Sequence, residues 1–311
     1  LDDAMDIEAI VTEHTKRLSA ADPLLPVPRP WDDSEGTRLT VAEATALATC
    51  SRVELASSAA LWRPLAEYRL DVRLAGHFPG QALDSLLAAW QRLLEEDTAA
   101  SDPDTAAVVT RPSRDSTGSA ELLRHRFAPA RVLAVRPADR LGGGPPAVPG
   151  VRIRAAEPGD LETALRLQLE LRRYDAQFGL VPRRPGEEEA LRAQTRDLLA
   201  RDAAQPTLWI AEVYGKPLGL LHIQLPPDSD WISGHVAAER VGYLASLNVA
   251  EEARSTGVGS ALTAHAHQVF DESGVEVVLL HHALANPRST PFWYAHGYRP
   301  LWTSWYRLPA R

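Results

Sequence analysis

Cysteine is almost absent: Cys50 is the only one in 311 residues. That excludes an internal disulfide and a thiolate metal site, and it removes any case for an oxidising compartment. Lysine is nearly missing too. Lys16 and Lys216 are the only two, so arginine supplies the rest of the positive charge. With abundant alanine and proline, this reads as base-composition bias rather than function. Positive charge as a whole is in deficit, with 33 Lys+Arg against 41 Asp+Glu and a net charge of −8. Broad affinity for nucleic acid or an anionic membrane is therefore not expected. No apolar run approaches the ~20 residues that span a bilayer, and no basic-then-apolar leader opens the sequence. Together these absences predict a cytoplasmic protein. The apolar content of 45% supports packed cores, and 311 residues suit two domains.

The chain is organised around residues 242–260, GYLASLNVAEEARSTGVGS. Leu244, Leu247 and Val249 mark a strand. Arg254, Gly257 and Gly259 follow as R-x-x-G-x-G. Val258, Ala261, Leu262, His265 and Val269 then recur at helical period. A glycine loop opening a helix suits an anion. Glycine lets the backbone turn sharply and come close, and the unpaired N–H groups and dipole of the helix start point at the ligand. Arg254 adds a positive charge.

Downstream, residues 286–298 read NPRSTPFWYAHGY, or N-x-x-S-x-x-F-W-x-x-x-G-Y after another strand. The two motifs in this order resemble the GNAT acetyltransferase superfamily over about residues 151–311. The resemblance implies an α/β fold with a mixed sheet, and acetyl-coenzyme A as co-substrate. It assigns the coenzyme to Arg254, Ser255, Thr256, Gly257, Val258, Gly259 and Ser260 in the loop. It adds Asn286, Ser289, Phe292 and Trp293 in the second motif, and the main chain of Leu247, Asn248 and Val249 at the thioester.

A Gly/Pro-rich linker at 141–150 separates residues 1–140 from 151–311. The two parts share a pattern at a constant offset of 171 residues. It lays Asp115 on Asn286, His125 on His296, Phe127 on Tyr298, Pro129 on Pro300 and Arg136 on Arg307. The first part thus reads as a degenerate copy of the same fold; an unrelated α/β domain is the alternative. Its glycine loop is lost, since Pro79 stands where donor N–H groups are needed. This half is expected to bind no coenzyme and to pack on, or complete, the substrate cleft of the other.

The reaction implied is direct acyl transfer from a thioester to a small-molecule amine. It needs a base for the ammonium, donors for the oxyanion and a proton for the thiolate. Many relatives carry a glutamate where this chain has Ala245, and a tyrosine directly after the phenylalanine of the second motif. Here that place is Trp293, with Tyr294 one residue later. His281 is the expected base, because a histidine pKa of ~6.5 suits neutral pH; His282 faces the other way, and His222 is a weaker alternative. Tyr294 is the expected acid. Tyr174, Asp175 and Gln177 are expected to hold a cationic amine, and Trp231, Trp302 and Trp305 are candidates for an aromatic pocket. No metal is expected, and a homodimer is left open. The missing glutamate and tyrosine keep two other readings in play: an O- or S-acyltransferase or thioester decarboxylase, and a non-catalytic coenzyme-A-binding sensor.

Overall fold

The computed structural model describes residues 6–138, 148–201 and 205–311. Residues 139–147, most of the expected linker, lie outside them, as do residues 1–5 and 202–204. The N-terminal half runs α1 (Ile7–Ala21), β1 (Thr37–Val41), β2 (Ala44–Arg52), β3 (Ala66–Leu74), α2 (Pro79–Glu96), β4 (Thr105–Pro112), α3 (Ser119–Arg124) and β5 (Ala128–Pro137). The C-terminal half runs β6 (Val151–Ala155), α4 (Leu161–Asp175), α5 (Glu187–Ala200), β7 (Leu208–Val213), β8 (Lys216–Gln224), α6 (Asp230–Ser233), β9 (Val241–Val249), α7 (Val258–Glu272), β10 (Val277–Ala283), α8 (Ser289–Ala295) and β11 (Arg299–Arg307).

The two halves repeat one order of elements, β2-β3-α2-β4-α3-β5 and β8-β9-α7-β10-α8-β11. Within each, the first two strands pair antiparallel and the strands flanking the long helix pair parallel. The first half is thus a degenerate copy of the second, and among the described residues it has no counterpart of β6. The correspondence extends to single bonds. Asn286 Oδ1 accepts from the N–H of Arg288, and Asp115 Oδ1 accepts from that of Thr117, at the same offset.

All eleven strands form one sheet, in the order β1-β2-β3-β4-β11-β5-β10-β9-β8-β7-β6. The last strand of each half lies across the boundary. β5 pairs with β10 over Val277–Ala283, and β11 pairs with β4 as well as with β5. Each half therefore completes its sheet with a strand of the other.

Alternation along the strands gives the sheet two apolar faces. On the first, α2 buries Leu83, Leu86, Leu87 and Trp90 against β3 and β4. There α7 buries Leu262, Ala266 and Phe270 against β8, β9 and β10. The second face carries α1, whose Leu18 packs on Leu133 and Leu279, and α4, whose Leu167 packs on Leu218 and Leu220. Gly242 admits the Phe270 ring, which would lie 2.5 Å from any Cβ at that position.

Buried Arg172 joins the halves on this second face. Its guanidinium donates to the carbonyls of Leu61 and Pro182 and to Glu187. Arg184 does the same with the Ala60 and Arg63 carbonyls and with Asp104.

Candidate active site

Strands β9 and β10 pair for only three residues, Val241–Tyr243 with Val277–Leu279, and then part. β9 continues against β8 to Val249, and β10 continues against β5 to Ala283. Their facing main-chain groups beyond that point have no strand partner, so a wedge opens in the centre of the sheet. A register shift between His222 and Ile223 leaves Ala245 as an extra residue on β9. Such a bulge bends the strand and increases its twist, which helps to open the wedge. Leu247 and Val249 then face α7, and Asn248 is buried on the other face with Nδ2 on the Leu167 carbonyl.

At the top of the wedge the chain enters α7. Ser255 (φ 63°) and Gly257 (φ +90°) both have left-handed backbones, and Gly257 is the N-cap. Among the described residues nothing accepts a hydrogen bond from the main-chain N–H groups of residues 255–260. Six successive free donors at a helix start form an anion cradle. The Val258 side chain is buried and Thr256 Oγ1 donates to the Ala253 carbonyl, so both residues offer main chain to a ligand. Gly259 leaves room for the Phe292 ring, 3.3 Å from where a Cβ would stand. Ser260 Oγ bonds His296 Nε2 at 3.1 Å.

The expected charge of Arg254 is partly committed. Its Nη2 donates to Glu170 at 2.8 Å and its Nε to the Val249 carbonyl, which braces the cradle from behind. Tyr174 spans the wedge mouth, with the Arg254 guanidinium 5.6 Å and the Arg288 guanidinium 4.8 Å from its ring centre.

The second motif divides its work differently from the expectation. Asn286 is buried, its Oδ1 capping the first turn of α8 and its Nδ2 directed at Asp175 Oδ1 at 3.4 Å. Trp293 is in the core against Tyr298, so its role is packing rather than contact with a ligand. Ser289 Oγ is buried without a partner among the described residues and remains available. Tyr294 lies edge-on to His282 (5.6 Å), and burial holds its hydroxyl above the usual range, so it stays protonated at neutral pH. His282 itself is buried beneath α8.

His281 projects from the second face. It reaches solvent inside a concavity hemmed in by both halves, and its Nδ1 lies 3.0 Å from Tyr243 Oη. The expected pKa near neutrality does not hold there. Desolvation, with Arg131, His235 and Arg69 adding to it, pushes it down to about 3, so the ring is neutral but a poor proton store. Asp175 has the opposite character: burial pushes its carboxyl up to about 6 against the pull of Arg172. That makes it the stronger base candidate at neutral pH, a role the sequence offered no sign of. Gln177 is exposed on the short turn after α4.

Beyond His281 the wall continues through Tyr243, which meets Trp231 edge-on, and Trp231 Nε1 donates to Gln224. Gln224 also lines a cavity of about 430 Å³ with His222, Thr207, Gln194 and, from the first half, Ala56 and Ser58. Burial pushes His222 down to about 4. Trp302 is at the far side with Nε1 on the His235 carbonyl. Trp305 packs on the opposite face beside the α2 cluster, so the three tryptophans do not share a pocket.

The first half has a wedge of the same kind, since β3 and β4 pair only through Leu70 and Val109. There α1 takes up two of the donors and the β1–β2 turn a third. Leu74 N–H donates to His14 Nδ1, Gly76 N–H to Glu13 and Ala75 N–H to the Glu43 carbonyl. Pro79 then opens α2 without an N–H. Among the described residues no helix is long and apolar enough to cross a membrane, and no group of three His, Cys, Asp or Glu side chains could hold a metal ion.

A parted parallel strand pair with free N–H donors at the start of the following helix suits an anionic ligand. Residues 170–298 match the Acetyltransferase (GNAT) family model. Acyl transfer is the chemistry of this family. A GCN5-related N-acetyltransferase from Sphaerobacter thermophilus superposes at TM-score 0.55 and 15% identity, over 88% of this chain and 78% of that one, which shows the fold across both halves. A GCN5-related N-acetyltransferase from Ralstonia eutropha shares 26% identity over 49% of this chain and 94% of its own, at TM-score 0.37. A tandem GNAT protein from the clavulanic acid biosynthesis pathway covers 98% of this chain and 97% of its own, at 14% identity and TM-score 0.45. Among curated proteins none matches the chain.

Proposed function

We propose that the protein is an acyl-coenzyme A dependent N-acetyltransferase that moves an acetyl group to a small-molecule amine by direct transfer. The six N–H groups at residues 255–260, which have no acceptor among the described residues and stand at the mouth of the β9/β10 wedge, carry this reading. They suit the coenzyme diphosphate, with Ser289 and Phe292 facing the arm that enters the wedge. When bound, the coenzyme supplies an activated acyl thioester. Along the edge of β9 that β10 leaves open, the main chain of Leu247–Val249 offers N–H donors to the carbonyl oxygen as it gains charge.

Asp175 takes one proton from the ammonium form of the acceptor, which frees the nitrogen lone pair. Tyr294, protonated at neutral pH, is the donor for the departing thiolate. His281 is neutral and directs the acceptor with Nε2 while Tyr243 holds Nδ1.

The test follows thiol release from acetyl-coenzyme A across a panel of amines. An Asp175→Asn variant is expected to lose about 10²-fold in kcat while keeping its coenzyme affinity. The pH profile separates this role from a structural one. Below about pH 6 the carboxyl is protonated and cannot accept a proton, so the wild-type rate falls as pH drops. The variant should lack that acid limb. An unchanged limb in Asp175→Asn removes Asp175 as the base. No thiol release with any amine, alongside a coenzyme-dependent rise in melting temperature, favours a coenzyme-binding sensor instead.

A further inference from the structure

We infer that the acceptor amine carries an anionic group, and that Arg131 and Arg69 of the N-terminal half receive it in the cleft on the second face. This rests on the acyl-transfer reading above and adds the chemical class of its acceptor. The exchange of strands places the charges. β5 brings Arg131 beside β10: His281 stands opposite Leu133, Ala283 opposite Arg131, and the three residues 131, 133 and 281 share a face. On the other side Arg131 stands opposite Ser304 of β11. Its guanidinium lies 5.7 Å from the Tyr306 ring centre and donates through Nη2 to the Trp62 carbonyl. Among the described residues it has no carboxylate partner.

Arg69 reaches the same concavity from β3. Val108 is its neighbour on β4 and Tyr306 the next residue across on β11. It pairs with Glu67 at 2.6 Å, but Arg63 approaches the same carboxylate at 3.5 Å, so Glu67 offsets two cations with one charge. The guanidiniums of Arg131 and Arg69 both act on His281.

Carboxylates do border the cleft. Asp71 is held by Trp31 Nε1, Asp228 is paired with Arg201, and Asp175 stands at the wedge end beside Asn286. Charge is therefore divided along the cleft. An ammonium fits at Asp175, next to the wedge, and an anion fits at the arginines of the other half. A guanidinium presents a planar fork of donors suited to a carboxylate or phosphate oxygen pair. An acceptor bearing both groups would lie with its amine toward the thioester.

The experiment pairs each primary amine acid with its neutral amide: glycine with glycinamide, β-alanine with β-alaninamide, and glutamate with its diamide. Turnover is read as thiol release. Binding is read as the melting-temperature shift that each compound adds at saturating coenzyme A, which does not need turnover. The wild-type protein is expected to favour at least one acid over its amide by roughly tenfold or more in kcat/KM, and to show the added shift only with acids. Arg131→Gln should raise KM for that acid about tenfold, leave kcat and the amide unchanged, and lose the added shift. Arg131→Lys should recover part of it. Arg69→Lys, which keeps the charge beside Glu67, should raise the same KM to a smaller degree. Coenzyme binding by every variant should equal wild type. Amides that bind and react as well as acids, acids that add no shift, or an Arg131→Gln variant that weakens both members of a pair alike would each overturn the inference. Absent thiol release with the acid-specific shift retained fails the transferase reading and leaves this one standing.

Discussion

Replacing Gly257 with aspartate is expected to abolish coenzyme binding while leaving the protein folded. Gly257 sits at φ +90° as the N-cap of α7. A side chain there is strained by about 1–2 kcal/mol, a fraction of the ~5–15 kcal/mol that holds a domain together. Space is not the obstacle, since the nearest atom to an added Cβ is Val148 at 3.5 Å, an ordinary contact. The charge is the obstacle. A carboxylate at this position takes up the free N–H donors and repels a diphosphate. Wild-type protein at coenzyme concentrations of ~100 Kd should gain about 2.7 kcal/mol of stability. Gly257→Asp should gain none, and thiol release should fall below detection. Gly257→Ala adds the strain without the charge and should keep a reduced shift. If Gly257→Asp melts later with coenzyme as wild type does, the cradle is not the diphosphate site.

The second large effect concerns the exchanged strands. Expressed alone, residues 148–311 lose β5, which pairs with seven residues of β10 from Val277 to Ala283. β11 meanwhile loses the six partners on β4 from Ala107 to Pro112. The exposed edge of β10 would be apolar on both faces, with Leu279 and Leu280 uncovered, which is the condition for aggregation. Arg172, whose Nη1 donates to the Leu61 carbonyl of the other half, would keep a buried charge with fewer partners. The isolated fragment is therefore expected to show no cooperative melt as a monomer. Co-expressed with residues 6–138, it should assemble one to one and recover the coenzyme-dependent shift. A folded, monomeric C-terminal fragment would show that the exchange is dispensable.

Sequence reached the site through features that are local. Glycine spacing at 257 and 259, the apolar period of α7 and the N-x-x-S motif each leave a mark within a few residues. The repeat was also legible, because Asp115 and Asn286 stand at the common offset, and each accepts from the N–H two residues on. What escaped was set by distant neighbours. Nothing along β5 or β11 says that each crosses to the other half, because strand partners leave no trace in a two-residue period.

His281 and Asp175 show the same limit in chemistry. Residue type suggested a histidine base near neutrality and a carboxylate for binding. Burial, with guanidiniums beside the histidine, reversed the order of their basicity. The α1 plug was hidden as well. Pro79 signalled a damaged loop, but only the fold brings His14 and Glu13 onto the Leu74 and Gly76 N–H groups.

Calorimetric titration of the intact protein with acetyl-coenzyme A tests the central claim most directly. One open cradle per chain, with Pro79 opening α2 without an N–H and α1 bonding the Leu74 and Gly76 N–H groups of the first half, predicts saturation at one coenzyme per chain. Saturation at two, or no heat of binding at all, would contradict the account.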